Sequence, residues 1–142
     1  WEKKLNGVPY LDILKAGGGI HSTVRAVREA TQKQLAASLR ERLSQVLRGG
    51  TTTIEVKSGY GLNTEAELKM LRAIRRAASD WPGTVVATAL LGHAVEGDLE
   101  EYSRMVTKEM LAEVSREFPD IAVDAFCEKE AWSVEACVKL FE

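Results

Sequence analysis

Three short stretches of this chain place chemically able side chains beside apolar runs. The first is Lys57-Ser58-Gly59-Tyr60-Gly61, directly after Thr51-Thr52-Thr53-Ile54-Glu55-Val56. A tyrosine between two glycines can come close to a ligand, stack on it and donate one hydrogen bond. It can equally serve as an aromatic lid. The second is His93, after Leu90-Leu91-Gly92. An imidazole there can bind a metal, move a proton or donate to a substrate oxygen near neutral pH. A structural, hydrogen-bonded histidine is the plainer alternative. The third is Cys127-Glu128-Lys129, after Ile121–Phe126. Glu128 could act as acid or base, or be a surface charge. Cys127 has no histidine assigned to it and reads as a small core residue.

Other candidates are weaker. Gly17-Gly18-Gly19 next to His21 could cradle an anion through successive N–H groups. Three glycines also simply stop a helix, and no Walker-type Lys-Ser/Thr follows them. Lys57 could be a carboxylated metal-bridging lysine, but a solvated or salt-bridged one fits better. The only histidines are His21 and His93, with no HxH, no HExxH and no paired cysteines. No closed metal site is therefore assigned to this chain.

The elements that must hold these residues follow from pattern and caps. Pro9–Ala16 reads as a short helix ended by the glycines. The stretch from Ile20 to Ala30 is ambiguous. Thr31 with Gln34 forms a capping box opening a helix to about Arg48, with Leu35, Leu39, Leu43, Val46 and Leu47 inward. Strands are expected over Thr51–Lys57, Thr84–Leu91 and Ile121–Phe126. The second is apolar on both faces, as in a buried parallel sheet. Thr64 with Glu67 reads as another capping box, opening the helix Glu65–Ser79. Asp98 caps a helix from Leu99 to about Glu117, and Ser133 caps Val134–Phe141.

Strands recur about every 35 residues, the length of a βαβ unit. The expected fold is α/β with parallel strands and right-handed crossovers. A small complete open sheet and a segment of a (β/α)8 barrel both fit, and the segment is favoured. The organisation is one partial barrel domain over 1–142. It has a helical lead-in over 1–50 and three β/α units over 51–142. Ligands of such folds bind beyond the C-terminal strand ends, so all three clusters should share one rim.

Composition narrows the class. The chain has 142 residues, 45% hydrophobic and 28% charged, which suits one core. A net charge of −2 with mixed signs offers no basic footprint for nucleic acid. No apolar run has the length of a membrane span. Two cysteines are too few for a disulfide framework and suit a reduced, cytoplasmic setting. The start, Trp1-Glu2-Lys3-Lys4, has neither initiator methionine nor signal-peptide pattern, so the chain is expected to begin inside a larger or processed protein.

The sequence resembles imidazolonepropionases, of the amidohydrolase superfamily. The resemblance rests on Tyr10-Leu11-Asp12-Ile13-Leu14, Gly17-Gly18-Gly19-Ile20 and Ser22-Thr23-Val24. It continues through Gly50-Thr51-Thr52-Thr53, Glu55 to Leu62, Glu67 to Arg72, and His93-Ala94-Val95. It implies a metal-dependent (β/α)8 barrel that hydrolyses 4-imidazolone-5-propanoate to N-formimidoyl-L-glutamate in histidine degradation. It implies substrate-binding roles for Tyr60, His93 and Tyr10, with His93 also catalytic, polarising the substrate carbonyl. Zinc or iron is implied for the full-length enzyme, held by residues outside this chain: an HxH before Trp1, a histidine and an aspartate after Glu142. A substrate-binding arginine is also implied before Trp1. The full-length enzyme is expected to be a homodimer acting on a small molecule, and this piece alone to be inactive. One departure lies at the histidine loop, Leu91-Gly92-His93-Ala94-Val95-Glu96, where that family has Gly-Ala before its histidine and proline after. Two other readings remain: a hydantoinase-like or deaminase-like amidohydrolase, and a non-catalytic α/β domain that binds a small ligand.

Overall fold

The computed structural model describes residues 5–7, 19–128 and 131–142. The expected helix Pro9–Ala16, with Tyr10, and most of the glycine run lie outside the described residues, as does Lys129. The stretch left ambiguous in the sequence is helix α1, Ile20–Glu29, with Val24 and Val27 buried. Helix α2, Gln32–Arg48, begins at the Thr31–Gln34 capping box and stops at Gly49. Of its leucine stripe only Leu43 is fully buried, together with Ala36, because α2 packs on one neighbour rather than into the centre of the core.

Strand β1, Thr53–Lys57, leads to helix α3, Thr64–Ala78, and then to β2, Thr84–Gly92. Helix α4, Leu99–Met105, runs through one π turn, Val106–Met110, into α5, Leu111–Glu117. The sequence reads these as a single helix. The wider turn keeps Val106, Met110 and Val114 all buried along one side. Strand β3, Ala122–Ala125, and helix α6, Val134–Phe141, complete the described chain. Asp98 caps α4 by accepting from the Glu100 and Glu101 amides, and Ser133 caps α6 by accepting from Ala136.

The three strands form one parallel sheet in the order β1-β2-β3. Each crossover is helical, so the β/α alternation read from the sequence is present. The two faces of the sheet differ sharply. Val56, Val85, Ala87, Ala89, Leu91, Val123 and Ala125 belong to the core with Leu71 and Ile74 of α3 and with Met110 and Val114. The alternate residues Glu55, Lys57, Val86, Thr88 and Asp124 share the other face. Val86 is 46% exposed there, so β2 is not covered on both sides as its composition suggested. Parallel strands with helical crossovers packed on one face match a segment of a barrel wall, with helices outside and the other strand face turned to the barrel interior.

The register carries one irregularity that matters for the site. Leu90 pairs with Asp124 and Gly92 with Ala125, which leaves Leu91 as a bulge. A bulge re-aims the residues that follow it. Here Gly92 and then His93 follow it.

Candidate functional site

The rim at the strand C-termini brings Tyr60 and His93 together. Their ring centroids are 4.8 Å apart with the planes at 71°, an edge-to-face contact. Phe126, just past β3, stands 6.0 Å from His93 on the side of the third strand, at 67°. The three rings follow the strand order. His93 occupies the middle because β2 is the middle strand.

Backbone constraint explains why Tyr60 is flanked by glycines. Gly59 has φ of 110°, in the region that side chains rarely adopt. A Cβ there would come within 2.9 Å of the Leu90 carbonyl and 3.2 Å of the His93 Cβ. The first strand end is thus laid directly on the second. Ser58 is buried and its amide donates to the Thr88 carbonyl, carrying the β1–β2 ladder into the loop.

Electrostatics favour the neutral form of His93. Burial pushes its imidazole below the usual 6.5, and the Glu67 carboxylate opposes this only in part. The Nδ1 atom is buried and makes no hydrogen bond among the described residues. The Ser58 hydroxyl is in the same condition. Native interiors usually pair such groups.

Two supports were not legible in the sequence. Arg28 of α1 donates through Nε to the Gly61 carbonyl at 2.8 Å and forms a two-pronged pair with Glu96 at 3.0 and 2.6 Å. It thereby ties the tyrosine loop to the histidine loop. Beneath the latter, Trp132 is fully buried and donates to the Ala94 carbonyl at 3.3 Å. Phe126 was also missed. It is one residue ahead of the cluster that the strand-end rule selected, and its apolar ring gave it no chemical claim.

The remaining candidates separate from this centre. Lys57 lies on the open sheet face, paired with Asp124 at 2.5 Å and with Glu55 at 3.6 Å. The Asp124 contact, foremost, raises the lysine and in turn lowers the aspartate, so both stay charged. Thr88 donates to Glu55 at 2.7 Å, completing a polar row across the three strands. The salt-bridged reading of Lys57 therefore holds. Cys127 is exposed rather than a core residue, because β3 ends two residues earlier and the chain has left the sheet. Cys137 is the buried thiol, and burial raises it. Glu128 is exposed on the same loop. His21 is exposed on α1. A groove of about 300 Å³ opens between α1, α2, β1 and α3, lined by Tyr60 and Lys57 along with Val27, Leu39 and Arg42.

Among the described residues, no group of three or more His, Cys, Asp or Glu side chains could hold a metal ion. Their donor set does not fit the metal that the sequence resemblance implies. Among them also, no helix is long and apolar enough to cross a membrane.

The imidazolonepropionase of Pseudomonas paraeruginosa (strain DSM 24068 / PA7) is 46% identical over 145 residues, covering 99% of this chain and 36% of that protein. The chain is similar to imidazolonepropionases along its whole length. The enzyme of that name from Pseudomonas fluorescens (strain Pf0-1) gives the same identity and coverage. That from Hahella chejuensis (strain KCTC 2396) is 44% identical over 146 residues, covering all of this chain and 36% of the relative. The chain thus spans about a third of the length of the curated relatives it matches. No protein-family profile matches it. The resemblance seen in the tyrosine and histidine loops therefore extends through α1, α2 and α6 as well.

Proposed function

We propose that this chain is the part of an imidazolonepropionase that grips and polarises the substrate. The whole protein would carry out metal-dependent hydrolysis of a C–N bond in 4-imidazolone-5-propanoate, giving N-formimidoyl-L-glutamate. The observation that carries this reading is the Tyr60–His93 pair at the strand ends, in a chain 46% identical to proteins of that name. The metal, zinc or iron, is assigned to residues of the whole protein outside this chain. The cytoplasmic setting and the homodimer belong to the same proposal and rest on the resemblance alone.

The roles come from the resemblance, and the geometry supports them. His93 is held mainly neutral at neutral pH by burial, so it retains one N–H donor and no positive charge. Such a donor, fixed beside a carbonyl oxygen, binds that oxygen more strongly as negative charge develops on it. His93 is the electrophilic group in this reading. Tyr60 contributes a ring face and a phenol that hold the planar heterocycle against the imidazole. Tyr10, outside the described residues, is assigned a further contact to the substrate. The bulge before His93 and the glycines around Tyr60 supply the rigid placement that such catalysis requires.

The test is turnover of 4-imidazolone-5-propanoate by the whole protein, before and after chelation. Chelator-sensitive hydrolysis is expected. His93→Asn should lower kcat on the order of 100-fold, the range for loss of one oxyanion donor. A folded, metal-replete protein with no turnover would overturn the reading and shift the substrate to another cyclic amide.

A further inference from the structure

Glu67 is a buried carboxylate that the proposed chemistry does not use. It is 1% exposed, inside the first turns of α3. Both its oxygens are committed to the tyrosine loop. Oε2 accepts from the Gly59 amide at 2.8 Å, and Oε1 accepts from Gly61 at 2.6 Å and from Leu62 at 3.0 Å. The two residues that flank Tyr60 are therefore both held by one side chain.

The helix has no need of this carboxylate. Asn63 already caps α3 by accepting from Ala66. The Glu67 amide makes the first regular helical bond, to the Asn63 carbonyl. The capping box read from Thr64 and Glu67 is thus not formed. Thr64 lies inside the helix and Glu67 turns back over the loop instead. Burying a carboxylate is costly unless it is fully hydrogen-bonded, and here three backbone donors supply the compensation.

The loop it holds is strained and tightly seated. Leu62 has φ of 54°, the sole positive value for a non-glycine among the described residues, and Gly59 has 110°. Such conformations persist only when their surroundings over-determine them. A Cβ on Gly61 would meet the Glu67 amide nitrogen at 2.6 Å, so loop and helix are in direct contact. From the other side Arg28 holds the Gly61 carbonyl.

We propose that Glu67 is the positioning residue of this rim, fixing Tyr60 against His93 through the backbone of residues 59–62. Its charge also reaches His93, where it favours the imidazolium against burial. The rings that meet that imidazole are those of Tyr60 and Phe126, and further along the histidine loop Glu96 is neutralised by Arg28 of α1. The effect on catalysis rests on the function proposed above. The effects on His93 titration and on the loop amides do not.

The experiment uses the whole protein with Glu67→Gln and Glu67→Asp. The glutamine variant keeps the shape but loses the charge and one acceptor. The aspartate variant keeps the charge but shortens the reach. Nitrogen-15 histidine spectra follow His93, assigned by the signal lost in His93→Gln. In E67Q the His93 titration should move to lower pH and kcat should fall about tenfold or more, with KM changed less. E67D should leave the titration close to the parent and recover part of kcat. In the parent protein the Gly59 and Gly61 amides should exchange with deuterium orders of magnitude more slowly than exposed loop amides. Unprotected amides would overturn the proposal whether or not a variant folds. So would a folded E67Q with unchanged titration and unchanged kcat. If the parent turns over no imidazolonepropionate while titration and exchange behave as expected, the function has failed and the positioning stands.

Discussion

At the scale of single residues, the state of His93 decides what the rim can do. Burial lowers its affinity for a proton, so the unfolded chain takes one up near 6.5 while the folded chain waits for a lower pH. Wherever the unfolded state binds more protons, stability falls as pH falls. The protein should therefore lose stability as pH drops through 6.5 toward the folded value. The paired carboxylates Glu96, Glu117 and Asp124 are all held below their usual ranges and lose their contribution only in more acidic solution. Urea unfolding at pH 8 and at pH 5.5 should show a lower midpoint at the acid value. The difference should shrink in His93→Gln, and an equal difference in that variant would refute the assignment. Tyr60 gives a separate prediction. Tyr60→Phe keeps the ring against His93 and removes only the phenol, so KM should rise several-fold with a smaller change in kcat, as for a contact made equally in ground and transition states.

At the scale of elements, the site is two strand ends clamped together. Gly59→Ala should be costly, because its Cβ would press on the Leu90 carbonyl at 2.9 Å and its backbone has φ of 110°. A cost of about 1–3 kcal/mol follows from that conformation alone, and denaturant midpoints of the whole protein would measure it. Thr31→Ala should cost about 1 kcal/mol by removing a capping box whose bonds join only Thr31 and Gln34, with no change in activity. What the sequence made legible tracks how local the cause is. The caps at Thr31, Asp98 and Ser133 and the three strands depend on neighbours within a turn or on alternation within a strand. Tyr60 and His93 were legible because parallel strands must deliver their C-terminal ends to one rim. Glu67 was misread as a cap because its true partners are loop amides whose fold the pattern does not encode. Arg28 was missed because its contacts with Gly61 and Glu96 exist only once α1 lies across both loops. The π turn escaped because it preserves the apolar stripe that signals an ordinary helix.

At the scale of the molecule, the sheet is finished on one side only. Its helix-covered face is core, while its other face carries the Glu55–Lys57–Asp124–Thr88 row and the exposed Val86. Among the described residues nothing pairs the outer edges of β1 and β3, since the sheet order stops at those strands. Helix α6 repeats the theme. Val134, Val138 and Phe141 fall on one helical stripe and are 63%, 47% and 58% exposed. Open strand edges and contiguous apolar stripes are pairing surfaces. In a closed barrel, neighbouring strands and helices would cover them, and the polar row would face the barrel interior beneath the rim. The 142-residue chain expressed alone should therefore self-associate at micromolar concentration. Light scattering should return a mass well above one chain, with no hydrolysis of 4-imidazolone-5-propanoate. Replacing Val138 and Phe141 by lysine should reduce that association without restoring turnover, because it quiets a surface but adds no missing wall. A monodisperse monomer that turns over substrate would show that these three β/α units close upon themselves.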